Sequence, residues 1–101
     1  AFNVEKEFRN AFGILRDAPA EKVILQFSTM QGRYIKTFPL HDSQRIIAET
    51  GDFITFEIYI CLTHDFVMEL MRYDSNVKVI EPQSLINDIK TRIDAVSKLY
   101  T

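Results

Sequence analysis

The side chains able to do chemistry are few, and their spacing points away from catalysis. His41 and His64 are the only histidines. No Cys or His partner stands at metal-ligand spacing from either, so roles in a loop and at a helix start fit them better than a zinc site. Cys61, the single cysteine, falls in a strand-like run with no Gly-rich turn or helix start beside it, and reads as an inert thiol. Asp88 and Asp94, like Glu5 and Glu7, have the spacing of solvated helix faces rather than of a carboxylate pair set for acid–base work. No nucleophile elbow, phosphate loop or dinucleotide fingerprint occurs. The chain therefore reads as a non-enzyme with no metal and no cofactor.

One cluster differs in kind. Arg33, Lys36, His41 and Arg45, with Gln44 among them, occupy a stretch from Arg33 to Ala48 whose only acid is Asp42, although the chain carries a net charge of −2. Two readings stand side by side. Charge runs are most often solvated faces. The sharper reading is a docking patch for a phosphate-bearing ligand or an acidic neighbouring domain. Arg33 and Arg45 would be its forks, and His41 or Gln44 its hydrogen-bonding partners.

The elements that must position these residues follow from hydrophobic periodicity. Phe53–Leu62 alternates strictly, with Ile54, Phe56, Ile58, Ile60 and Leu62 on one face and Phe53, Thr55, Glu57, Tyr59 and Cys61 on the other. That is a long strand, wholly apolar on one side, of the kind that sits centrally with helices on one face. Before it, Lys22–Ser28 reads as a first strand with Val23, Leu25 and Phe27 inward. Ser28 or Thr29 caps a helix to about Phe38, whose stripe is Met30, Tyr34, Ile35 and Phe38. Gly32 weakens that helix by about 1 kcal/mol relative to Ala. Pro39 stops it, a second strand runs from Gln44 or Arg45 to Glu49, and Thr50-Gly51-Asp52 makes a tight hairpin turn.

Past the central strand, Thr63 caps a helix to Tyr73 with Phe66, Val67, Leu70, Met71 and Tyr73 on its apolar side. Asp74-Ser75-Asn76 turns into a fourth strand, Val77–Ile80. Pro82 then opens a last helix with Leu85, Ile86, Ile89, Ile93, Val96 and Tyr100 on one stripe. At the N-terminus, Asn3 to Leu15 has helical spacing, with Asn3 as N-cap and Gly13 as its close. The expected fold class is α+β. It is a ferredoxin-like βαββαβ sandwich, with the first and third strands central, an N-terminal linker helix and an additional C-terminal helix.

Length and composition bound the rest. The 101 residues make one domain, and 47% hydrophobic residues with three glycines exclude disorder and collagen-like repeats. The acidic balance, pI about 5.6, argues against a surface that grips nucleic acid throughout. One cysteine makes a reducing cytoplasm the expected compartment, and no apolar run approaches the ~18 residues of a membrane span. The opening Ala-Phe-Asn suggests a fragment of something longer or a trimmed tag.

With the elements placed, the residues resemble a known family. Ala11-Phe12-Gly13-Ile14, Val23-Ile24-Leu25-Gln26-Phe27, Pro39-Leu40-His41-Asp42-Ser43-Gln44, Val79-Ile80-Glu81-Pro82 with Ser84-Leu85, and Lys98-Leu99-Tyr100 look like the C-terminal extension (WCX-type) domain of bacterial WYL-domain transcriptional regulators. Pro-Leu-His-x-Ser-Gln is the most specific piece. Asp42 departs from the family, which often has Pro there, so a less rigid loop is expected. The resemblance implies a ferredoxin-like extension at 21–101, preceded at 1–20 by a linker helix leaving a WYL domain. It also implies that DNA binding and the Trp-Tyr-Leu motif lie in other parts of the regulator, since this chain has no Trp.

The expected function is that of a non-catalytic regulatory and oligomerisation domain in a WYL-type helix-turn-helix regulator. Its expected partners are the regulator's other domains, a second copy in a homodimer, and an effector of unknown identity, with DNA reached only through the N-terminal domain and no membrane. The reading from a different class is a free-standing, effector-sensing small-molecule module of the same fold. Base stacking on the central strands fits poorly, because Lys22, Ile24 and Gln26 leave the first strand's outer face without aromatics.

Overall fold

The computed structural model describes residues 20–101; the predicted Asn3–Leu15 linker helix lies outside them. Four strands and three helices follow one another as β1 (Glu21–Ser28), α1 (Thr29–Thr37), β2 (Arg45–Glu49), β3 (Phe53–Ile60), α2 (His64–Met71), β4 (Val77–Glu81) and α3 (Gln83–Lys98). A single 3₁₀ turn, Asp74–Asn76, leads into β4. The strands form one antiparallel sheet in the order β2-β3-β1-β4, with the two long strands in the middle.

The register explains the core. Val23, Leu25 and Phe27 of β1 stand opposite Ile58, Phe56 and Ile54 of β3, and all six are buried under the helices. Ile35 of α1, with Phe66, Val67 and Leu70 of α2, closes over them, and Leu85 of α3 joins at the margin. Phe27 meets Phe56 and Tyr73 edge-on, with ring centroids 5.8 and 5.6 Å apart, a geometry suited to the opposed charges of ring face and edge.

Local signals set most boundaries. Ser28 accepts from Gln31 N at the start of α1, and Thr63 from Phe66 N at the start of α2, each satisfying an amide that the helix leaves orphaned. Thr50 closes the β2–β3 hairpin, its hydroxyl accepting from Asp52 N and Phe53 N. The Pro82 carbonyl accepts from Leu85 N and Ile86 N, so the proline caps α3 from just outside it.

Three expectations need correction. β3 ends at Ile60, not Leu62, because the chain turns at once toward the α2 cap, with Thr63 N donating to Cys61 O. The buried face of α1 is Gly32 and Ile35, while Met30, Tyr34 and Phe38 face outward. Gly32 is the cause: its bare Cα lets the helix settle on Ile54, where a Cβ would lie 2.9 Å away. What reads in sequence as a weak point is the place of closest helix–sheet approach. Finally, the stripe of α3 is covered only at its start. Sixteen residues rise about 24 Å against the roughly 17 Å of five-residue β4, and Ile93, Val96, Leu99 and Tyr100 remain exposed.

Candidate functional site

The five residues of the expected basic patch are placed in three different settings. Gln44 and His41 build the loop between α1 and β2. Gln44 accepts from Leu40 N through Oε1 and donates from Nε2 to Ile35 O, at 2.9 and 3.1 Å, which ties the loop to the end of α1. His41 Nδ1 accepts from Ser43 N at 3.1 Å, and Ser43 Oγ accepts from Tyr59 N at 2.8 Å. That anchors the loop on β3. The specific Pro-Leu-His-x-Ser-Gln segment is thus a clasp, in which the Gln44 amide, His41 Nδ1 and Ser43 Oγ are held by backbone amides and carbonyls.

Arg45 lies on the far side of the sheet from α1. It pairs in register with Glu57, which alternates away from the buried Phe56 and Ile58. Its Nε reaches Glu57 Oε1 at 2.6 Å. Glu57 is the one buried charged side chain among the described residues, and this hydrogen bond, with the attraction of the carboxylate, holds the guanidinium above its ordinary pKa. Lys36, on the helical side, is paired with Glu49 at 2.8 Å. Arg33 and Arg45 therefore do not converge as two forks on one ligand, because the sheet stands between them.

Arg33 has different company. The outward face of α1 sets Met30, Arg33, Tyr34 and Phe38 at helical spacing. Met30 is 83% exposed, Tyr34 53% and Phe38 59%, and the two rings lie 5.0 Å apart. Arg33 makes no ion pair within the described residues, whereas Lys22, Lys36, Arg45, Arg72, Arg92 and Lys98 are each paired with a carboxylate. Aromatic, Met and Arg side chains together are the composition of interface centres. In sequence the same stretch stands out by its charge, and its apolar half has the spacing of a core stripe, because helical period alone does not say which side meets the sheet.

A second feature lies at the opposite edge. Between α2, β4 and α3 runs a groove of about 610 Å³ walled by Met71, Val77, Val79, Ile86, Ile89 and Ile93, with Asp74, Ser75, Lys78 and Lys90 at its borders. The long apolar stripe of α3 was its only trace in the sequence; isolated lysines on an edge strand and a helix carry no signal. Among the described residues, no His, Cys, Asp or Glu group is arranged to hold a metal ion, and no helix is long and apolar enough to cross a membrane.

The model of the WCX domain family matches residues 19–97 of the chain. That span takes in the whole sheet, α1, α2 and nearly all of α3. No curated protein gives a significant match.

Proposed function

This chain belongs to the WCX domain family, and from that membership we propose that it is the non-catalytic regulatory domain of a WYL-type transcriptional regulator. In this reading DNA is read by a helix-turn-helix elsewhere in the regulator. This domain transmits state by docking on its neighbours. The observation that carries the docking is the outward face of α1, where Met30, Arg33, Tyr34 and Phe38 present a mixed apolar and cationic surface. The proposed architecture is ferredoxin-like, supported by the order β2-β3-β1-β4 and by α1 and α2 sharing one core with the sheet.

The proposed assembly is a homodimer through the exposed end of α3. Both sheet edges carry a register shift, at Ile46/Ala48 in β2 and opposite Ile24/Leu25 in β4, and bulges of this kind blunt an edge against strand pairing. The helix stripe is the better surface. The decisive experiment uses the full-length regulator with a transcriptional reporter. Tyr34→Ala with Phe38→Ala should abolish the regulatory response at an unchanged melting temperature. A normal response in that variant, together with one in Arg33→Ala, overturns the docking role.

A further inference from the structure

We propose that the groove between β4 and α3 is a binding site for a single-chain amphipathic carboxylate, an unbranched acyl chain with one anionic head. Its volume, about 610 Å³, falls within the range of roughly 300–1,000 Å³ that small-molecule sites occupy. Its walls are aliphatic, with Val77 and Val79 on the sheet side and Ile86, Ile89 and Ile93 on the helix side. An apolar body belongs there.

The charge at the borders selects the head. Arg33, Lys78 and Lys90 are the described basic side chains without a carboxylate partner, and two of these three border this one groove. Lys90 follows Ile86 by four positions and precedes Ile93 by three, so it shares their side of α3. Its side chain is exposed at the border, and a lysine stem there can lie against the apolar wall with the ammonium kept in water. Lys78 stands between Val77 and Val79 on the edge strand and opposite Gln26, so its exposed side chain leaves from the other face of the sheet, and the head group falls to Lys90.

The same borders argue against a phosphate. No arginine fork faces the groove, and lysines act as point charges rather than as bidentate clamps. Ser75 is committed to Asp74, both its amide and its hydroxyl donating to that carboxylate. The Asp74 charge at the rim disfavours a dianion. A monoanion met by Lys90 meets less repulsion from Asp74 than a dianion would.

The site does not depend on the regulatory reading, and it is tested on this chain alone. Octanoate, decanoate and dodecanoate, each below its micelle concentration, are titrated by calorimetry. Chemical shifts of Val77, Val79, Ile86 and Ile89 are followed in parallel. Saturable one-to-one binding is expected, tightening about fourfold for each methylene buried. Lys90→Glu should weaken dodecanoate about tenfold or more with the fold unchanged by circular dichroism, and dodecyltrimethylammonium should not bind. Equal affinity for the two head groups, an unaltered affinity in Lys90→Glu, or shifts mapping to α1 would each overturn the proposal. A second copy of the chain seated in the groove would overturn it too, seen as a dimer that dodecanoate fails to compete with.

Discussion

Gly32 of α1 rests directly on Ile54 of β3: a methyl group added at Gly32 would lie 2.9 Å from both Cβ and Cδ1 of that isoleucine. The contact fixes how the helix is rotated. It presses Gly32 and Ile35 to the sheet and turns Met30, Tyr34 and Phe38 to the outside.

Gly32→Ala should therefore destabilise the domain. The substitution gains roughly 1 kcal/mol of helix propensity, but overpacking at a closed helix–sheet contact costs about 1–3 kcal/mol, and Ile54 is fully buried with no room to retreat. Urea titration is expected to show a net loss. Ile54→Val in the same chain removes Cδ1 and should recover part of it. A net gain from Gly32→Ala alone would mean that the helix shifts freely on the sheet.

The two arginines of the expected patch should behave oppositely. Arg45→Ala leaves the buried Glu57 carboxylate without its 2.6 Å partner, so the melting temperature falls. Adding Glu57→Gln should restore part of the loss, since a buried amide is less costly than a buried charge. Arg33→Ala, at an exposed position without an ion pair, should leave stability within about 0.5 kcal/mol. Equal losses from the two single substitutions would refute this division.

Tyr73 gives the domain an alkaline limit. Burial, followed by the hydrogen bond its hydroxyl donates to Glu69 Oε2 at 3.0 Å and the charge of that carboxylate, raises its pKa above the ordinary 10.0. The fold thus favours the protonated phenol. Its stabilising contribution is complete below pH 10 and is lost as pH climbs from there through the raised value. At neutral pH, Tyr73→Phe should cost about 1 kcal/mol for the lost hydrogen bond while keeping the ring against Phe27. The gap between wild type and variant should then narrow above pH 10 in guanidinium titrations. A gap constant from pH 8 to 11.5 would count against the linkage.

Self-association should run through the last turns of α3. Leu99 and Tyr100 are 77% and 85% exposed, beyond the reach of the domain's own core. Sedimentation across a concentration series is expected to show a dimer that Val96→Glu with Leu99→Glu converts to monomer. These positions lie outside the groove lining, so ligand binding should persist in that variant. A monomeric wild type at high micromolar concentration would exclude this interface.

Duplex DNA should not be bound specifically by this chain alone. The net charge is −2, and no described helix carries more than one basic side chain without a carboxylate partner, Arg33 on α1 and Lys90 on α3. Fluorescence anisotropy at moderate salt is the measurement. A sub-micromolar, sequence-dependent affinity would place DNA reading in this domain after all.

Much of this protein was determined by the sequence itself, wherever the determinant is local. Strict alternation in β3, the caps Ser28 and Thr63, the Thr50-Gly51-Asp52 turn and the inward faces of β1 and α2 all involve neighbours a few residues apart. Such neighbours have few arrangements to choose among. The expected middle position of β1 and β3 also held, since the two longest and most apolar strands need cover on both sides.

Tertiary structure alone decided whatever depends on pairs distant in the chain. The rotation of α1 is set by Gly32 meeting Ile54, across a turn, a strand and a hairpin. The partner of Arg45 is set by the β2–β3 register, which puts it opposite Glu57 and on the face that Arg33 cannot reach. Gln44 and the Nδ1 of His41 look like ligand groups until the loop folds back and backbone amides and a carbonyl claim them. The groove exists because α3 outruns β4, a difference of length between two elements that neither one's periodicity reveals. A hydrophobic period states that a face must be covered; only packing states by what.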